Sequence, residues 1–307
     1  MPGLRQLPAG EATCRLLRAH LDAAHRARRR LKKQTDDEAL HDFRVALRRL
    51  RSVLRAYRRH LKTAPRKLRR QLRALARATN AGRDAEVQLE WLRRQQGLDS
   101  RERAGYDWFV ERLEHSREEA YAGIHRDLRG HFSDLEARLR KALRPLPAAK
   151  SGSYAAVTAG LVAEYAARLD KELTGIRTVA DEDAIHAARI AGKHLRYLLE
   201  PLAAEVAGTQ RAVAAMKTFQ DRFGLLCDSF VRRRALLHAG ATLAVRAGAP
   251  DGAEPFRPGL AALSRRVEAE TERRYADIER RYLGHAAEKF LRPIAAIGRR
   301  LGAAAHA

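Results

Sequence analysis

Apolar residues recur at spacings of three and four along most of the chain, as expected of helices that bury one face. Leu50, Val53, Leu54, Tyr57 and Leu61 show the pattern clearly. Ala, Leu, Arg and Glu dominate, and β-branched residues are sparse, which favours helix over strand. No segment alternates as a strand would. Breaks are expected at Thr63-Ala64-Pro65, Asn80-Ala81-Gly82, Gly97 to Ser100, Pro145 to Ser153, Gly175, Gly208, and Ala249 to Pro258. The fold class predicted from this pattern is all-α.

The segment from Pro145 to Ser153, with two prolines and a Ser-Gly-Ser, divides the chain into residues 1–149 and 150–307. The two parts carry a duplication. HDFRVALRRLRSVLRAY begins at His41 and HAARIAGKHLRYLLEPL at His186. The alignment pairs His41 with His186, Arg44 with Arg189, Val45 with Ile190, Arg48 with Lys193, Leu50 with Leu195 and Arg51 with Arg196. Arg73 to Asp84 also aligns with Lys217 to Asp228, shifted by one residue. The expected architecture is therefore two pseudo-symmetric bundles of about six helices each, packed around a central basic groove.

Charge sharpens this picture. The 307 residues include 61 Lys or Arg and 37 Asp or Glu, a formal net charge of +24. Such an excess repels itself and calls for an anionic partner. Nucleic acid, an anionic membrane or another polyanion would serve. No run of apolar residues is long enough to span a bilayer, and the first residues lack a signal-peptide pattern. The two cysteines, Cys14 and Cys227, belong to no ligand-like cluster. These features together predict a cytoplasmic protein that does not enter a membrane.

On a helical wheel with His41 at zero, Arg44, Arg48, Arg51 and Arg55 fall within roughly 80° of it. Arg59 and Lys62 continue this row, which advances one cation per turn. A second row comprises His186, Arg189, Lys193 and Arg196, with Arg49 and His194 on the flanks. A solvated basic face usually interleaves acids, because like charges at i and i+4 destabilise a helix. Between Arg44 and Lys62 there is no acid. Both rows therefore read as anion-binding surfaces. Arg73, Arg77 and Lys217 are candidates to flank the groove, with a generic basic surface as the alternative. The run from Arg26 to Lys33 either extends it or is solvated.

Arg pairs bidentately with phosphate oxygens and Lys adds a point charge, so a row of them suits a linear phosphate polyanion. No GxxxxGK[ST] loop is present, which leaves nucleotide binding unsupported. Single-strand nucleic-acid binders interleave aromatics to stack bases. Here aromatics are 6% of the chain, and the first row carries none on its cationic face. Nucleic acid remains a secondary possibility. The His41-Asp42 pair admits a metal-dependent phosphohydrolase, but Ala187 follows His186, so the pair is not duplicated. No catalytic residue, metal site or cofactor is assigned, and the chain is read as a non-enzyme.

The motifs His41-x-x-Arg44-Val45-x-x-x-Arg48-Arg49-Leu50-Arg51 and Arg83-Asp84 closely resemble those of the CHAD family, the conserved histidine α-helical domain. So do His186-x-x-Arg189-Ile190-x-x-x-Lys193-His194-Leu195-Arg196-Tyr197-x-x-Glu200, Gln220-Asp221-x-x-Gly224 and Asp228. The resemblance covers essentially the whole chain. It implies two helical bundles around a basic cavity that binds inorganic polyphosphate, and association with polyphosphate granules. It also adds Arg83 to the binding set. Nothing resembles the triphosphate-cleaving tunnel domain to which some members are fused. Asn80 stands where the family pattern has Gly, and Cys227 replaces the usual polar residue before Asp228.

His41 and His186 have two readings: contact with phosphate as imidazolium, or orientation of neighbouring arginines. Asp84 and Asp228 are expected to cap a helix and hold Arg side chains.

Overall fold

The apolar stripes become the inner faces of ten α-helices among the described residues. The computed structural model describes residues 3–31, 37–62, 66–145, 147, 152–246 and 254–303, except for the side chains of 37, 81, 125–131 and 244–246. The helices are α1 (Ala9–Leu31), α2 (Asp37–Ala56), α3 (Arg66–Ala78), α4 (Asn80–Arg93) and α5 (Ser100–Ala142), then α6 (Tyr154–Thr174), α7 (Glu182–Leu199), α8 (Thr209–Arg246), α9 (Arg257–Tyr282) and α10 (His285–Ala303). No strand occurs among the described residues. Five helices precede the Pro145–Ser153 segment and five follow, not about six each. The number falls because α5 and α8 run unbroken for 43 and 38 residues.

The α2 stripe is buried as its periodicity predicts: Leu50 and Leu54 are at most 2% exposed, Val53 3% and Tyr57 1%. Each large side chain so removed from water contributes about 1.5–3 kcal/mol. This face packs on α1, whereas α7 packs between α6 and α8. Two hydrophobic clusters result, and each draws residues from both sides of the Pro145–Ser153 segment. The larger one contains a cross-link near that segment, where Tyr57 stacks on Tyr154 at 5.2 Å and hydrogen-bonds Thr158 at 2.8 Å. Helices of the two halves also meet directly: α1 with α6, α2 with α7, α4 with α8, and α5 with α9.

Two glycine contacts set these packing distances. Gly105 of α5 and Gly259 of α9 face each other so closely that a Cβ on either would overlap the other helix's backbone. Gly192 on α7 leaves space for the Phe219 ring of α8. That ring is held in turn by Phe223, Tyr282 and Phe290. Together these contacts draw α7 against α8.

Several breaks fall where expected. Gly97 has a left-handed φ of 67°, and Asp99 then starts α5 with a capping box to Glu102. Gly208 precedes α8 with φ 83°. The break near Asn80 is shorter than predicted, because Thr79 alone separates α3 from α4. There, Arg44 of α2 donates to the Thr79 carbonyl and to its hydroxyl, the latter at 3.2 Å. The arginine satisfies a helix-end carbonyl that would otherwise need a longer turn. Thr63-Ala64-Pro65 lies outside the described residues.

Candidate functional site

A cavity of about 1940 Å³ opens between α2, α3 and α4 on one side and α7 and α8 on the other. It is lined by fifteen Lys or Arg side chains against five carboxylates. His41, Arg44, Arg48, Arg51 and Arg55 of the first row all reach it, as do His186, Arg189, Lys193 and His194 of the second. Arg73 and Arg83 join them.

Three predicted residues lie elsewhere. Arg49 and Arg196 turn away from the channel and share Glu200, at 3.2 and 3.0 Å. Lys217 is exposed on α8 and does not line the cavity. The first row also ends earlier than the wheel suggests, because α2 stops at Ala56 and residues Arg58–His60 form a short 3-10 turn. That turn brings Arg58 into the lining instead of Arg59 or Lys62. Of the Arg26–Lys33 run, Arg30 pairs with Asp42 and Arg28 lies over the Phe132 ring. Lys32 and Lys33 lie outside the described residues.

The largest group that single-helix reasoning captures only in part is on α3. Arg73 and Arg77 line the channel as the sequence suggests, and Arg66, Lys67, Arg69 and Arg70 join them, while Leu68, Leu72 and Leu75 are buried on the same helix. A signal for this was present, since no acid occurs anywhere from Phe43 to Arg83. Arg234 of α8 is a further addition, although it pairs with Glu182 at 2.6 Å.

Crowded cations are expected to shed charge where water is scarce. Burial, aided by Arg189 and Arg48, pushes Lys193 down to about 7. Its amine makes no hydrogen bond or ion pair among the described residues, although five carboxylates line the same cavity. Burial lowers Arg44 to about 10, with Asp84 opposing that shift. His194 falls to about 4 through burial and Arg55. Burial, Arg189 and Lys193 also lower His186. An incoming anion would reverse each of these shifts.

Asp84 and Asp228 do not cap helices, since both sit inside them, on α4 and α8. Both line the channel. Burial raises Asp84, and Asp228 adds to this, against the pull of Arg44. Asn80 opens α4, and Arg83 is anchored by Glu86 at 3.1 Å while still lining the cavity. Among the described residues no group of three or more His, Cys, Asp or Glu is placed to hold a metal ion. No helix among them is long and apolar enough to cross a membrane.

Chemically, the channel is a continuous bed of guanidinium and ammonium donors able to neutralise several phosphates in a row. A family model described as CHAD domain matches residues 15–237. No curated protein sequence matches the chain. Solved structures share its fold. One is the CHAD domain from the plant Ricinus communis, with a TM-score of 0.67, 21% identity, and coverage of 94% of this chain and 93% of that one. Another is PptA from Streptomyces chartreusis, with a TM-score of 0.64, 19% identity, and coverage of 89% and 99%.

Proposed function

The chain belongs to the CHAD domain family, and from that premise we propose that it binds inorganic polyphosphate in the basic channel, without catalysis. The observation that carries this reading is the lining itself, with fifteen Lys or Arg against five carboxylates around one cavity of about 1940 Å³. A long chain gains by occupying several such cations at once, whereas orthophosphate does not. Lys193, which forms no ion pair among the described residues, would gain a direct counter-charge from a bound anion.

Nucleic acid is less well served. Tyr197 and Phe230 are the aromatic residues of the lining, and both are buried. Arg49 and Arg196 both lie over the Tyr197 ring, where they compete with a base for stacking. The same reading places the protein with cytoplasmic polyphosphate, including granules.

Titration with labelled long-chain polyphosphate in about 0.15 M salt tests the proposal directly. Tight binding is expected, with tripolyphosphate and orthophosphate far weaker. If ~8 phosphates are neutralised, the log–log salt slope should lie near −5 to −6 on the single-strand coefficient. A slope near zero, or equal affinity for orthophosphate, would contradict the proposal. Sustained phosphate release on adding Mg²⁺ or Mn²⁺ would overturn the non-catalytic assignment.

A further inference from the structure

The last turn of α7 handles three arginines differently. The Tyr197 hydroxyl accepts a hydrogen bond from Arg48 Nε at 2.7 Å, across the junction of α2 and α7. Tyr197 is only 5% exposed, so the acceptor is largely buried although Arg48 reaches the cavity. Two other guanidiniums lie over its ring, that of Arg196 at 5.0 Å and that of Arg49 at 6.0 Å. One turn on, Glu200 pairs with both of them. The result is a division of labour. Arg48 faces the channel, while Arg49 and Arg196 are held behind it, although the sequence places all three in or beside the cationic rows.

Fixing Nε matters because a guanidinium recognises phosphate through a planar fork. With Nε engaged on the hydroxyl, the plane is set and the Nη groups are free to act on a ligand. Arg48 also adjoins Lys193, whose ammonium it disfavours, so its placement affects both walls. We infer that Tyr197 is a positioning residue for the channel: its hydroxyl aims Arg48 into the phosphate path, while Glu200 keeps Arg49 and Arg196 out of it. This rests on the polyphosphate reading of the channel and adds a residue that does not itself touch the ligand.

A double-mutant cycle on the full chain tests it, with binding of labelled long-chain polyphosphate as the readout. Tyr197→Phe removes only the hydroxyl and leaves the ring beneath its arginines. It should weaken binding about fivefold, the equivalent of one modest hydrogen bond. Arg48→Ala should cost more, and adding Tyr197→Phe to it should cost nothing further. Arg48→Lys keeps the charge but lacks Nε, so it should match Tyr197→Phe and show the same lack of additivity. Equal losses in wild-type and Arg48→Ala backgrounds would mean a merely structural tyrosine and overturn the inference. So would unchanged affinity in Tyr197→Phe. Failure of the wild type to bind polyphosphate would instead bring down the underlying reading, and the inference with it.

Discussion

The two walls of the channel carry the same motif but not the same charge. The wall built by α2, its following turn, α3 and α4 presents twelve Lys or Arg and a single carboxylate, Asp84. The wall built by α7 and α8 presents Arg189, Lys193 and Arg234 against Glu182, Asp183, Asp221 and Asp228. His41 and His186, Arg44 and Arg189, and Arg48 and Lys193 all keep their place in the lining. What differs is the flanking helix: α3 adds six cations, whereas the matching stretch of α8 adds one acid, Asp221, and no cation. Both copies of the motif thus reach the lining while the positive charge concentrates on one side. The first wall would supply most of the attraction, and the second would temper it and respond to pH.

The largest effect should come from the first wall. Reversing Arg69, Arg73 and Arg77 to Glu together should weaken polyphosphate binding by about 100-fold or more, and should flatten the salt slope by about 2. Arg101→Glu, on α5 outside the channel, should change little. Circular dichroism should show native helix content in both variants. Similar losses in the two would erase the distinction between channel and surface.

The next effect belongs to the second wall. In the empty channel Lys193 titrates at about 7, and a bound polyanion would raise that value. Below about 7 the amine is charged with or without ligand and adds no pH dependence. Above it the free protein loses the proton that the complex keeps, so affinity should fall by up to about tenfold per pH unit. Calorimetry in buffers of different ionisation enthalpy should register proton uptake at pH 8. Lys193→Arg should abolish it. The lowered value of His186 adds a second window with the same sign, in which binding strengthens as pH falls below its ordinary value of about 6.5. Folding stability follows the opposite course. With Lys193 depressed from 10.5 to about 7 on folding, the empty protein should gain stability as pH rises from 7 to 10, which thermal unfolding can follow.

The smallest effect concerns the acids. Asp183→Asn with Asp221→Asn should tighten binding about two- to fivefold, in line with exposed charge pairs. Weaker binding on their removal would mean that the second wall's carboxylates organise the site and do not oppose the ligand.

Much of this comparison was legible before the structure. The buried faces of α2 and α7, the all-helical fold and most of both cationic rows follow from spacing alone, because a helix wheel reports which residues share a face. What the wheel cannot report is which faces meet in space. Of the α3 row the sequence offers only Arg73 and Arg77, because nothing in one helix says that it will lie across from α7, although the acid-free run through Arg83 points to the rest. Arg49 lies outside the lining for a related reason: its pairing depends on Glu200 and Tyr197 meeting α2, a contact fixed only by tertiary packing. Arg196 differs, because Glu200 lies four residues on and the spacing alone points to their pair. The junction at Thr79 was drawn too long because its cap, Arg44, comes from another helix.

The most direct measurement is a competition on the wild-type protein, with labelled long-chain polyphosphate displaced by single-stranded RNA or DNA at equal phosphate concentration and about 0.15 M salt. A channel built for phosphate without bases predicts that polyphosphate holds its site, with nucleic acid displacing it only at large excess. Displacement at equal phosphate concentration would contradict that claim and make the channel a general polyanion binder.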